Sequence, residues 1–588
     1  MAKAELERDS RDYALFLIAS AVALAGVLWA AGAAAAKLAG HRVPEHRPFA
    51  GLAAFAHFGN PSVAWHGPVG PAAVYWSVTA AVFFVPTALG LLLWRAVART
   101  EKRQNRPQQV GGMAKRREVA AAAGRRALLA RASTLRPSIA RPSLADVGYR
   151  LGRSLGKDCW ASVEDSILLL GPPRSGKGTS IVIPMILEAP GAVVTTSTRP
   201  DNLAVTMSAR DGQGPVAVFD PQGLARAPGT TPSLRWSLVR GCDRPQTAML
   251  RAEALVPSSG RSGVENGTFW RQQALTVVRC LLHAAALDGR PPADLYRWSH
   301  SAAGAKEAVA ILTHVAGVTP GWDRALDSVL SADHRTRDSV WAMVANTFAP
   351  LADPDVLSAV SPAEGEEFDP SSFLRDNGTL YLLGSASGAS ATASLVAALV
   401  EDVVDVAKRL AAVSSGVRLD PPLALLLDEA ANYPLPSLPS LMSEGGGSGI
   451  TTLAVLQSLA QARDRWGREA AGAIWDSAIV KVMLGGSANA DDLAGISRLI
   501  GDREVRETTR THGGAGAAGS SVSVSYRHRP ILEPSAIRQI PVGQGLLLMR
   551  SAPPIMMNLS PWTDRPDAAA LRRAREAHEA AMRGAAGA

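Results

Sequence analysis

Residues 166–180 read Ser166-Ile-Leu-Leu-Leu170-Gly171-Pro-Pro-Arg-Ser-Gly176-Lys177-Gly178-Thr179-Ser180. A short apolar run is followed by G-x-x-x-x-G-K and then by residues that can start a helix. The run predicts a buried strand. The glycines let the backbone turn so that successive N–H groups face phosphate oxygens, and the helix N-terminus behind them adds a favourable dipole. Gly171, Pro172, Pro173, Arg174, Ser175, Gly176, Lys177, Gly178, Thr179 and Ser180 are therefore the candidate nucleotide-binding residues. Lys177 is placed to reach the β- and γ-phosphates. One departure stands out. The residue after the lysine is usually Ser or Thr, whose hydroxyl holds Mg2+, and here it is Gly178. Either Thr179 shifts to reach the metal or a water replaces the hydroxyl.

Downstream, Leu423-Ala-Leu-Leu-Leu427 ends in Asp428-Glu429. An apolar strand ending in two acids is a Walker B pattern: Asp428 would enter the Mg2+ shell and Glu429 would polarise the attacking water. The same pair could instead start a helix. A further run, Thr451–Leu456, ends in Gln457, which could sense the γ-phosphate, orient the water or simply cap a helix. The expected cofactors are ATP and Mg2+. Asp220-Pro221 reads as a turn. No H-x-x-x-H, H-E-x-x-H or G-x-S-x-G pattern appears, and Cys159, Cys242 and Cys280 lack metal or disulfide spacing.

Other apolar runs fall at Ala192–Thr196, Val216–Phe219, Thr379–Leu383, Ala478–Leu484 and Leu546–Met549. Most are apolar throughout, as in strands buried on both faces of a parallel sheet, so the class is α/β. Between about 245 and 350 such runs vanish and helical spacing takes over, which predicts an all-helical insertion. Gly513–Ser521 reads as a flexible loop and Val522–Tyr526 as an exposed strand. Residues 567–588 read as a tail, helical or disordered.

The N-terminal region differs in kind. Tyr13–Ala36 and Ala72–Trp94 carry no charge over 24 and 23 residues. Each is long enough to cross a hydrocarbon core of ~30 Å. The acids Glu5, Glu7, Asp9 and Asp12 do not suit a cleaved signal peptide. Arg95–Arg141 holds thirteen Lys/Arg against Glu101 and Glu118, so the rest of the chain, with a total of +9, is slightly acidic. The basic segment follows the second run, which predicts that both ends of the anchor lie in the cytoplasm.

GPPRSGKGTSIVIPMIL, the strand ending VFDP, LLLDEAANY with LPSLPSLMSEG, and TTLAVLQSLAQARDRWG, together with the anchor, resemble the TraG/TraD type IV secretion coupling proteins. The resemblance runs from Tyr13 to about Trp562. It implies a RecA-like P-loop NTPase domain with an all-helical insertion, preceded by two transmembrane helices. The expected boundaries are an anchor at 1–94, a basic linker at 95–150, the ATPase domain at 151–566 with its insertion at about 245–350, and the tail. It further implies a homo-hexamer at the bacterial inner membrane. Such a ring would use ATP to move DNA, expected to be single-stranded, with an attached relaxase or other protein substrate, toward a type IV secretion channel. Two alternatives are a docking protein with ATP as a switch and an FtsK-like translocase. Lys177, Asp428, Glu429 and Gln457 match the family pattern. Many relatives also carry an arginine in the stretch matching Glu444–Gly449, and this chain has none there. Either another arginine supplies the charge, with Arg463 and Arg538 as candidates, or the ATPase is slow.

Overall fold

The computed structural model describes residues 22, 24–43, 49–104, 110–225, 233–257, 267–384, 392–512 and 520–586. They fall into two compact units, divided between Gln109 and Val110.

In the first unit, residues 24–38 are helical, two short helices follow at Ala50–Ala53 and Pro61–Trp65, and a long helix runs from Ala72 to Gln104. Gly32 is required by close approach, because a Cβ there would lie 2.1 Å from the Trp65 ring. The Trp65 indole N–H donates to the Tyr75 hydroxyl at 3.2 Å. Among the described residues no helix is long and apolar enough to cross a membrane. The span expected at 13–36 lies partly outside the described residues, and the one expected at 72–94 occupies the first part of Ala72–Gln104.

The second unit is built on one eleven-stranded sheet. Its strands are β1 (Gly148–Ser154), β2 (Lys157–Ser162), β3 (Ile167–Leu170), β4 (Val193–Ser197), β5 (Val216–Phe219), β6 (Thr379–Leu383), β7 (Leu423–Leu427), β8 (Ile450–Leu456), β9 (Val480–Leu484), β12 (Gln544–Met549) and β13 (Ile555–Asn558). The order across the sheet is β2-β1-β13-β12-β9-β3-β8-β7-β4-β6-β5. From β9 to β5 all neighbours are parallel. From β9 outward to β2 they are antiparallel. The strands β3, β4, β6, β7 and β8 are buried at every position, β3 and β7 with apolar residues throughout and β4, β6 and β8 with threonines among them, as two-sided helix cover requires.

The other elements explain themselves by where their apolar residues go. Between β5 and β6 the described residues from 245 to 375 form helices and the loops that join them, with no named strand, so the insertion extends past its expected end near 350. Its long helix, Gly267–Leu287, is buried nearly all round in its second half, with every residue from Cys280 to Ala285 covered by the helices around it, as a helix apolar on all sides must be. At its root the buried Arg251 pairs with the buried Asp402 at 2.9 Å and stacks 4.5 Å over the Trp236 ring. Residues 116–147, expected in the linker, form four short helices packed on β1 and β2. Val119, Leu128, Leu135 and Val147 are their buried anchors. Arg136, buried, reaches Asp420 at 2.5 Å. The tail forms the helix Ala568–Ala586, with Leu571 and Trp562 packed against Ile183, Leu187 and Val205. The strands β10 (Asp502–His512) and β11 (Ser520–Pro530) pair with each other as a separate exposed ribbon. The Val522–Tyr526 strand lies within β11. Residues 513–519 of the expected loop lie outside the described residues, and Ser520 and Ser521 belong to β11.

Candidate nucleotide site

The carboxyl ends of β3, β8, β7 and β4 are neighbours in the sheet, and each carries polar residues into the loop beyond it. Gly171 leaves β3 with its N–H on the Leu456 carbonyl at 3.0 Å. That bond sets the phosphate loop beside Gln457. In the loop, Arg174 and Gly176 have φ of +62° and +87°. Such left-handed steps turn successive N–H groups inward as an anion nest. The Lys177 ammonium donates to the Gly171 carbonyl at 3.3 Å, across the loop mouth. The Ser175 hydroxyl is buried and has no hydrogen-bond partner among the described residues.

Residues 178–182 form one wide helical turn before the helix Ile183–Glu188. Thr179 is exposed, and its hydroxyl donates to the Gly176 carbonyl at 3.1 Å. Gly178 has no steric need to be glycine. A Cβ there would meet nothing closer than Asn202 Oδ1, at 3.9 Å.

At the end of β7, Asp428 and Glu429 are treated differently. The Thr196 hydroxyl donates to the Asp428 carbonyl at 2.8 Å, and the Glu429 N–H donates to Asp428 Oδ1 at 3.0 Å. Burial pushes the Asp428 carboxyl above its usual range. The Lys177 ammonium works against that rise and the Glu429 carboxylate adds to it. Glu429 sits in the left-handed region at φ +52°, a costly conformation for a side chain of that size. Its carboxylate accepts from the Thr198 hydroxyl and from Asn432 Nδ2, the latter at 3.2 Å. Tyr433 ties this turn to the ends of β4 and β6 through the carbonyls of Ser197 and Gly384.

The structure thus brings Lys177, Asp428 and Gly171 to one place, with Gln457 on the adjoining strand end. The Gln457 N–H donates to Gln461 Oε1 at 3.2 Å. Asn202, Thr198 and Asn432 were missed by sequence reasoning. The run Thr195-Thr196-Ser197-Thr198 at a strand end, and an amide three residues after Glu429, are the signals that could have found them.

The stretch Glu444–Gly449 lies before the start of β8, at the opposite end of the sheet. Here the glycines are packing requirements. A Cβ on Gly446 would lie 2.0 Å from the Glu164 carbonyl oxygen, and one on Gly449 (φ +75°) would lie 2.6 Å from that of Leu419. An arginine cannot stand at either position without displacing backbone. Gly446→Ala is expected to destabilise the protein by about 1–3 kcal/mol, as overpacking does, and a lowered thermal midpoint of the full chain would register it. Of the substitutes considered, Arg463 is held by Asp492 at 2.8 Å, whereas Arg538 is exposed.

The family described as the TraM recognition site of TraD and TraG matches residues 422–542. The chain is TraG/TraD-like. The matched segment includes Asp428, Glu429, Gln457 and the β10–β11 ribbon, so the resemblance read from the motifs is borne out. Among solved structures, the bacterial conjugative coupling protein TrwBdeltaN70 in its unbound monoclinic form aligns at TM-score 0.53 and 17% identity, over 70% of this chain and 88% of that one. TrwB with the ATP analogue ADPNP aligns at 0.50 and 17%, over 68% and 86%. TrwB with ADP and Mg2+ aligns at 0.50 and 17%, over 68% and 85%. At such identity the likeness shows the fold alone, a mixed α/β sheet. No curated protein matches it.

Proposed function

We propose that this chain is the ATP-driven coupling protein of a conjugative or type IV secretion apparatus, anchored in the bacterial inner membrane and moving DNA. The observation that carries the reading is the approach of Lys177, in the loop after β3, to Asp428, which ends β7, the strand beyond β8 in the sheet of a TraG/TraD-like fold. ATP with Mg2+ fits the residues present. The Ser175 hydroxyl is an orphaned buried donor inside a loop of phosphate-binding form, and a cation would relieve the burial of the Asp428 carboxylate. Bound Mg2+ would supply charge neutralisation on the β- and γ-phosphates. Asp428, and Thr179 where its hydroxyl turns from Gly176, are the candidates to hold it. Glu429 would orient and deprotonate the attacking water, and Lys177 would bind the phosphates.

The uncharged runs at 13–36 and 72–94 supply the anchor in this reading, with the N-terminus and the second unit in the cytoplasm. A homo-hexamer would complete each site with a neighbour's residue, for which the exposed Arg538 is the better placed candidate. Partners would be DNA, a relaxase or relaxosome protein as the TraM-site match suggests, and the secretion channel.

The full chain in lipid nanodiscs tests this. ATP turnover is expected to rise on adding single-stranded DNA, more than with duplex, and the rise is expected to fade as salt increases. Turnover indifferent to any DNA would refute the pumping role and favour a docking protein that uses ATP as a switch.

A further inference from the structure

The glycine after Lys177 leaves the place of a metal-binding hydroxyl open, and the structure puts another oxygen source opposite it. Asn202 lies in the first turn of the helix Asp201–Asp211, which follows β4. Its side chain is almost fully buried at 4% exposure. One branch of its amide, Nδ2, is directed at Asp428 Oδ2 at 3.5 Å. The nitrogen must face that carboxylate, since two oxygens would not pair. The other branch, Oδ1, therefore faces Gly178, 3.9 Å from where a Cβ would stand. A buried carbonyl oxygen is thus aimed at the space that a Ser or Thr side chain at 178 would occupy, beside the acid expected to hold the metal.

We propose that Asn202 Oδ1 takes over the metal-binding role of the missing hydroxyl, so that Asn202 and Asp428 together hold the nucleotide's Mg2+. An amide oxygen is a suitable hard donor for Mg2+. Asn202 would thus supply the oxygen that Gly178 cannot, so the loop can do without a hydroxyl after Lys177. This inference rests on the nucleotide-site reading above.

The test uses the full chain in nanodiscs with ADP and with Mn2+ as the probe ion, whose binding is followed by electron paramagnetic resonance. Asn202→Ala is expected to weaken ADP-dependent Mn2+ binding by about 10–100-fold, the scale seen when metal-site partners are removed. ADP affinity measured without metal should be retained, which also reports that the site is folded. Asn202→Asp keeps an oxygen facing Gly178 and is expected to keep Mn2+ bound. Adding Gly178→Ser to Asn202→Ala is expected to recover most of the loss. The inference is overturned if Asn202→Ala binds Mn2+ like the parent. It is also overturned if Asn202→Asp loses Mn2+ as Ala does, which would mean that Asn202 acts through its N–H on Asp428. A loss that Gly178→Ser does not recover overturns it too. Failure of the unsubstituted chain to bind ADP at all would remove the nucleotide reading itself, and this inference with it.

Discussion

Lys177→Ala should reduce ATP turnover by about 10²–10³-fold, the usual result of removing one preorganised charge from a transition state. Its ammonium already reaches across the loop mouth to the Gly171 carbonyl, so it is preset rather than recruited. Arg174 cannot substitute, because it is exposed on a left-handed step of the loop. A second effect should accompany the first. Lys177 holds the Asp428 carboxyl down against burial. Without it, that carboxyl protonates at higher pH, so the acid limb of any residual activity moves upward. Turnover measured across pH, with a fluorescent ADP titration alongside, separates this from loss of nucleotide binding. Near-parental turnover would show that the loop is not the site of chemistry.

Glu429→Gln should cost about 10²–10⁴-fold in turnover, the range that one general base supplies, while nucleotide binding stays close to that of the parent. The two substitutions therefore part company in affinity. Gln keeps an acceptor for the Thr198 hydroxyl and for Asn432, so the unusual backbone at φ +52° need not relax. The variant is expected to hold unhydrolysed ATP, which single-turnover assays would reveal as accumulated substrate complex. Retention of full turnover would move the base elsewhere, with Gln457 left in the orienting role alone.

The sheet was legible wherever a strand is buried on both faces. Ile167–Leu170 and Leu423–Leu427 announce themselves because every position is apolar, and Ile450–Leu456 because only Thr451 and Thr452 interrupt its apolar run. β1 and β2 escaped notice because an antiparallel edge admits Arg150, Arg153 and Lys157 among its buried residues. The packing of residues 116–147 on the sheet was hidden by charge: helix was open to a basic, Ala-rich linker, but only a few anchors such as Val119 and Leu135, among many arginines, hold it to the core. At the site, Lys177 and Asp428 lie about 250 residues apart, yet fixed motifs gave both. Asn202 had no such motif. Its meaning comes from the absent side chain at Gly178, and only three-dimensional proximity joins the two.

The strand order also sets a schedule for biosynthesis. β3 leaves the ribosome roughly 290 residues before β8 and still earlier than β9, its two neighbours in the sheet. At about 5–20 residues per second, that leaves the phosphate-loop strand unpaired for roughly 15–60 s. The helical insertion, made of local contacts, emerges within that interval and can fold on its own timescale. Nascent chains halted before Ile450 would therefore display Ile167–Leu170 as a bare apolar strand beside finished helices. Holding chaperones would be drawn to those intermediates, and ribosome pausing near residue 450 would shift the yield between folding and aggregation.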